Sequence, residues 1–107
     1  MVADNSKIKE EVLGGGVARK ILSHEGKLMT VEVTFKKGSI GALHTHPHEQ
    51  IGYVVEGSFE LYMGDETFII KAGDTYYAKP DVEHGVKALE DGKILDIFTP
   101  QREDFLK

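Results

Sequence analysis

Three of the chain's five histidines fall within five residues, His44-Thr-His46-Pro-His48, and Gln50 follows two positions later. A fourth, His84, lies in a second turn-rich segment, GDTYYAKPDVEHG. Neutral imidazole is a common ligand of first-row transition metals, and side chains at i and i+2 on a strand leave the same face. His44 and His46 are therefore expected to share a strand face and aim two nitrogens at one ion. Pro47 has no N–H for a strand ladder, so the strand is expected to end or turn near it. Gln50 can return toward the same place from the start of the next strand, and His84 from about one hairpin further on. Three imidazoles and one carboxamide oxygen make a four-ligand set for one divalent ion, with positions left for water or substrate. Nickel, zinc, manganese, iron and cobalt all suit such donors. His48 has the right parity but sits beyond Pro47, which places it beside the ligands rather than among them. His24, between Ser23 and Glu25, reads as exposed.

The elements that must hold these residues are short strands. Turn pairs at Gly64-Asp65, Gly73-Asp74 and Asp91-Gly92 punctuate the chain. Between turns, Met29, Val31, Val33 and Phe35 alternate with polar residues, as do Phe59, Leu61 and Met63. Residues 51–56, 67–71, 75–78, 85–89 and 94–99 read likewise. Turns every 8–12 residues or so indicate an all-β sandwich or barrel. Residues 4–11 could supply one turn of helix, and Gly14-Gly15-Gly16 reads as a hinge before the first strand. The lysine and hydroxyl of a phosphate loop do not follow those glycines. The expected organisation is a flexible or poorly structured segment over 1–16, a barrel over 17–100, and a polar tail over 101–107 anchored by Phe105 and Leu106.

With 107 residues and 40% hydrophobic content, one folded domain is expected. No apolar run approaches the roughly 20 residues of a membrane helix, and the charged N-terminus lacks a signal-peptide core. There is no cysteine, so disulfides and thiolate ligands are excluded. Together these features make the cytoplasm the expected location. The net charge of −5 and the lack of a basic stripe argue against nucleic acid. An anionic ligand would need a local positive centre, such as a metal or a placed arginine.

The two histidine segments resemble the cupin family. Its first motif runs Gly, five residues, His-x-His, three or four residues, Glu, six residues, Gly, and Gly38, His44, His46, Gln50 and Gly57 match it. Gly73 and His84 keep the spacing of the second motif, while Lys79 and Asp81 take its Pro and Gly places and Ala88 its late Asn. The resemblance implies a single-domain cupin jelly-roll β-barrel with a metal near its mouth. Gln50 departs from the usual Glu: a neutral ligand leaves the ion its full charge, a stronger Lewis acid toward an anion. Glu49 has the opposite strand parity and does not substitute for it.

Within the cupins, HPHEQIGYVVEG, LMTVEVTFKKGSIG and LDIFTPQREDFL resemble the KdgF family, uronate-linearising proteins of pectin and alginate breakdown. The likeness runs over residues 17–106. It implies opening of 4,5-unsaturated monouronates to linear 5-keto-4-deoxyuronate, with a small anionic sugar as partner. Spacing alone reads Phe98 as core, Asp96 as a strand-end surface carboxylate and Arg102 as half of a surface ion pair. The family's active pattern Asp-x-Phe-x-x-x-Arg instead makes Asp96, Phe98 and Arg102 the catalytic set. Asp96 is then the base, Arg102 pairs with the substrate carboxylate or orients Asp96, and Phe98 packs on the sugar. Tyr53, Tyr76 and Tyr77 are candidate cavity-lining aromatics, and Arg19 a candidate for the mouth. Two rival readings use the same ligands: a metal-dependent dioxygenase and a non-catalytic sugar-binding domain. Open sheet edges on a small barrel make a homodimer the default.

Overall fold

The computed structural model describes residues 1–107, and the alternating runs become ten strands. They are β1 (Glu11–Gly14), β2 (Val17–Glu25), β3 (Leu28–Phe35), β4 (Ile40–His44) and β5 (Glu49–Glu56). The rest are β6 (Ser58–Met63), β7 (Glu66–Lys71), β8 (Thr75–Ala78), β9 (His84–Ala88) and β10 (Gly92–Thr99). One sheet has the order β1-β2-β3-β10-β5-β8 and the other β4-β9-β6-β7, with every pairing antiparallel. No helix is long and apolar enough to cross a membrane.

The inward residues of the two sheets meet in a core of Phe35, Val54 and Ile94 from one and Phe59, Leu61, Ile70, Val86 and Ala88 from the other. The Phe35 and Phe59 rings bridge the sheets edge to face at 5.1 Å. A smaller cluster, Met29, Val31 and Phe98, lies nearer the histidines. This two-sheet stack is the jelly roll that the motifs implied.

β5 is the strand that positions the site. Gln50, Gly52 and Val54 point inward while Glu49, Ile51, Tyr53 and Val55 are exposed. On one side it pairs with β10, setting Gln50 against Phe98 and Gly52 against Asp96. On the other it pairs with β8, setting Gly52 against Tyr76. Position 52 thus separates two inward side chains on neighbouring strands.

Two turns show what the motif positions are for. Gly57 closes the first motif at φ +80°, and a Cβ there would lie 2.6 Å from the Asp91 carbonyl oxygen. Only glycine meets both demands. Asp81 occupies the glycine place of the second motif and keeps a glycine-like φ of +65°, the one non-glycine residue with positive φ. Asp is among the few L-residues that visit this region readily.

Three expectations need correction. Residues 11–14, placed in the poorly structured segment, form β1 and pair with β2, while the turn of helix read over 4–11 is present as a 3-10 turn, Asn5–Lys7, capped by Asp4. Gly14-Gly15-Gly16 is the reversal of that hairpin rather than a hinge, and all three glycines have positive φ. β4 ends at His44, so His46 lies in the following loop and not on the same strand.

Candidate metal centre and its cavity

His44 and His84 are direct cross-strand partners on β4 and β9, with ring centroids 4.5 Å apart. His46 reaches them from the loop over 45–48 that contains Pro47, its centroid 4.8 Å from His84 and 5.4 Å from His44. One nitrogen from each ring can be chosen so that all three lie within 4.8 Å of one another, a cluster that can hold a metal ion. His46 and His84 are buried and His44 is exposed at the mouth.

Each ring is oriented through its Nδ1. The contacts are His44 to the Ala42 carbonyl at 2.8 Å, His46 to the His48 carbonyl at 3.1 Å and His84 to the Val82 carbonyl at 2.9 Å. A carbonyl only accepts, so Nδ1 carries the hydrogen and Nε2 carries the lone pair, the tautomer a metal needs. Burial, the largest cause, lowers the His84 pKa to about 4, and neighbouring His44, His46 and Arg102 add to it. His46 is also lowered, again chiefly by burial. Both rings are therefore neutral near pH 7 and free to ligate.

Gln50 closes the cluster from β5. Its Oε1 lies 2.9 Å from His46 Nε2 and 3.1 Å from His84 Nε2. Lone pairs thus face an oxygen that has no hydrogen to give. A cation among them resolves the conflict, and the chemistry of the donors suits a divalent transition metal. Glu49 faces outward, where the Tyr77 hydroxyl donates to it at 2.9 Å.

Behind Gln50 stands Asp96. The Gln50 Nε2 donates to Asp96 Oδ1 at 2.8 Å and to the Tyr76 hydroxyl at 3.3 Å, and that hydroxyl donates to Asp96 at a long 3.5 Å. Enclosure by protein pushes the Asp96 pKa up to about 7, although Gln50, Tyr76 and Arg102 each pull it down. Burial, then the Asp96 charge, hold the Tyr76 phenol well above its ordinary value, so it remains protonated. Asp96 sits mid-strand facing inward, not at a surface strand end.

His44, His84, Gln50, Tyr76 and Asp96 line one cavity of ≈ 160 Å³ that also exposes Arg19, Phe98 and Arg102. Arg102 is buried rather than on the surface. Asp104 accepts from its Nε and Nη2 at 3.1 and 3.0 Å. Its guanidinium lies 4.2 Å from the Phe105 ring centre, and that of Arg19 lies 4.0 Å from the same centre. Two cations therefore flank one aromatic ring at the cavity wall. Arg19 Nε is buried without a partner.

The remaining candidates fall outside the cluster. His48 is half-buried, packs on His46 and Phe98, and its Nδ1 has no partner. His24 is half-buried, not exposed, and its Nδ1 meets Gln101 Oε1 at 2.9 Å. Of the three tyrosines, Tyr53 and Tyr77 face outward and only Tyr76 enters the cavity. Its partnership with Gln50 and Asp96 was not foreseen. The available signal was Gly52 inside the apolar run QIGYVVEG, because a mid-strand glycine marks close approach of another group.

Residues 31–98 match the Cupin domain family. Over 98 residues the chain is 49% identical to the pectin degradation protein KdgF of Dickeya dadantii (strain 3937), covering 90% of this chain and 89% of that one. Its structure is similar to that of KdgF from Halomonas sp., with a TM-score of 0.94, 37% identity, and 98% and 97% of the two chains covered. It is also similar to an RmlC-like cupin from Shewanella frigidimarina, with a TM-score of 0.93, 36% identity, and 97% and 94% covered.

Proposed function

This chain belongs to the cupin superfamily and, within it, to the KdgF family of pectin-degradation proteins, and from that premise we propose that it opens the ring of 4,5-unsaturated monouronates. The product is the linear 5-keto-4-deoxyuronate. His44, His46 and His84, with Gln50 Oε1, would hold one divalent transition metal. When bound, that ion supplies Lewis-acid polarisation of the substrate's oxygens.

The observation that carries this reading is Asp96. It is a carboxylate poised near neutrality, in the same cavity as His44 and His84 and one hydrogen bond from Gln50. A group with that pKa can both take and return a proton. Asp96 takes the proton of the anomeric hydroxyl, C1 becomes a carbonyl, and the bond from C1 to the ring oxygen breaks. The released electron pair forms an enolate across the former ring oxygen, C5 and C4. Asp96 then delivers its proton to C4, leaving a ketone at C5, so the reaction is an isomerisation with no redox partner.

Arg102 has five N–H donors, of which Asp104 takes two, so three remain to face the substrate carboxylate. Arg19 adds a second positive charge on the same wall, which suits an anionic sugar in a chain of net charge −5. Phe98 supplies an apolar surface beside His46 for the sugar ring and excludes water. The cavity suits a single sugar rather than a polymer.

The test is to incubate metal-loaded protein with an unsaturated monouronate and follow the ultraviolet absorbance of its C=C bond. Absorbance should fall, and a chelator should stop the fall. Unchanged absorbance with loaded protein would remove the proposal.

A further inference from the structure

The two ends of the Gln50 carboxamide have opposite hydrogen-bonding character, and the chain decides which end meets the imidazoles. His46 and His84 commit Nδ1 to backbone carbonyls, so both Nε2 atoms present lone pairs to Gln50. Seen from that side alone, the amide gains by turning half a revolution about its last bond. Its N–H groups would then donate to the lone pairs and occupy the place of a cation. The observed amide is the other way round, oxygen toward the imidazoles.

The opposing force comes from β8 and β10. In the observed orientation, each amide hydrogen has an acceptor, Asp96 Oδ1 at 2.8 Å and the Tyr76 hydroxyl oxygen at 3.3 Å. With Asp96 ionised, a turned amide would set its oxygen against the Asp96 carboxylate. Tyr76 adds to this because its own hydrogen points to Asp96 at 3.5 Å, which leaves its lone pairs for Gln50. With Asp96 ionised, Asp96, Gln50 and Tyr76 thus form a closed triangle in which Asp96 only accepts.

Tyr76 reaches this triangle only because position 52 lacks a side chain. Gly52 stands between Tyr76 on β8 and Asp96 on β10. A Cβ there would lie 2.3 Å from Tyr76 Cε1, 2.4 Å from Cζ and 2.7 Å from the hydroxyl oxygen. Gly52 has no positive φ, so it is required for space and not for conformation. The phenol ring occupies the missing side chain's place and carries its hydroxyl across β5.

We infer that Tyr76 is a positioning residue of the metal centre: passing over Gly52, its hydroxyl holds the Gln50 carboxamide with oxygen toward His46 and His84. The inference rests on the reading of the imidazole cluster as a metal site, not on which sugar is bound.

Calorimetric titration of Zn²⁺ into chelator-stripped protein tests it. Tyr76→Phe keeps the ring over Gly52 and removes only the hydroxyl. It should weaken Zn²⁺ binding about tenfold, the lower end of what losing a hydrogen bond behind a ligand costs. Tyr77→Phe removes the same atom from the outer face and should leave Zn²⁺ affinity within about twofold of wild type. In a Gln50→Ala background, Tyr76→Phe should have no further effect, because no amide remains to be oriented. The inference is overturned if Tyr76→Phe binds Zn²⁺ as wild type does, or if its defect persists undiminished in Gln50→Ala. Uronate turnover measured on the same proteins separates the two claims. Zinc coupling without turnover leaves this inference standing and removes the activity, whereas turnover without coupling does the reverse.

Discussion

On one side of the cavity, His44, His46 and His84 are each oriented by a backbone carbonyl two residues away. On the other, Gln50, Asp96 and Tyr76 meet across three strands, from positions 20 to 46 residues apart. The imidazole side depends on local backbone shape. The carboxylate side depends on sheet register, since a one-residue slip of β5 would turn Gln50 and Gly52 outward. A site made this way keeps its ligands ready by local means and tunes them by long-range ones. Charge divides along the same line. Burial keeps His46 and His84 neutral on one side and raises Asp96 toward neutrality on the other, which leaves Arg19 and Arg102 as the cations on the cavity wall near pH 7.

The comparison breaks most sharply at a ligand. His84→Ala should weaken metal binding by more than about 100-fold, beyond what loss of any supporting hydrogen bond costs. Metal titration of the purified variant checks it, and near-wild-type affinity would remove His84 from the centre.

Asp96→Asn separates proton transfer from metal holding. The asparagine oxygen can still accept from Gln50, so the metal should stay bound while turnover slows by about 100-fold or more. Undiminished turnover would exclude Asp96 as the base.

The same variant sharpens the electrostatic contrast in metal-free protein. The Asp96 pKa is raised in the folded state to about 7 from an ordinary 3.8, so the fold binds its proton more tightly than the unfolded chain does. Stability from this group is complete below about pH 4 and is lost as pH rises toward 7, by at most about 4 kcal/mol. His46 and His84, with lowered values, act in the opposite sense over an overlapping range. Asp96→Asn removes only the first effect, so its stability relative to wild type should climb between about pH 4 and pH 7. Denaturant melts across that range check it, and a flat difference would contradict the burial of Asp96.

Asp81→Gly gives the smallest effect, because it removes only an exposed side chain and keeps the backbone N–H that donates to the His46 carbonyl at 2.8 Å. It relieves the left-handed strain at φ +65° but adds freedom to the unfolded chain, so stability should change by less than about 1 kcal/mol. A larger loss in thermal melts would show that the Asp81 side chain does more than tolerate its backbone.

The same division governs what could be read from the residues alone. Alternation disclosed β3, β5, β6 and β10, and the spacing of Gly38, His44, His46, Gly57, Gly73 and His84 pointed to the cupin fold that relatives share. The histidines were legible because their types announce their chemistry. That His46 reaches the cluster from a loop was not, because spacing of two residues is silent about where a strand ends. β1 was missed because its residues are all exposed and carry no buried alternation. Asp96 and Phe98 share a strand face by parity, but the contact of Asp96 with Gln50 follows from β10 lying beside β5, which no local pattern encodes. Tyr76 needed two registers at once, to β5 and across it to β10.

The most direct test of the central claim is a crystal structure grown with Zn²⁺ and measured at the zinc absorption edge. The account predicts one anomalous peak per chain, about 2.0–2.2 Å from Nε2 of His44, His46 and His84 and from the Gln50 oxygen. No peak among the imidazoles, or a peak there with the Gln50 nitrogen turned toward it, would contradict it.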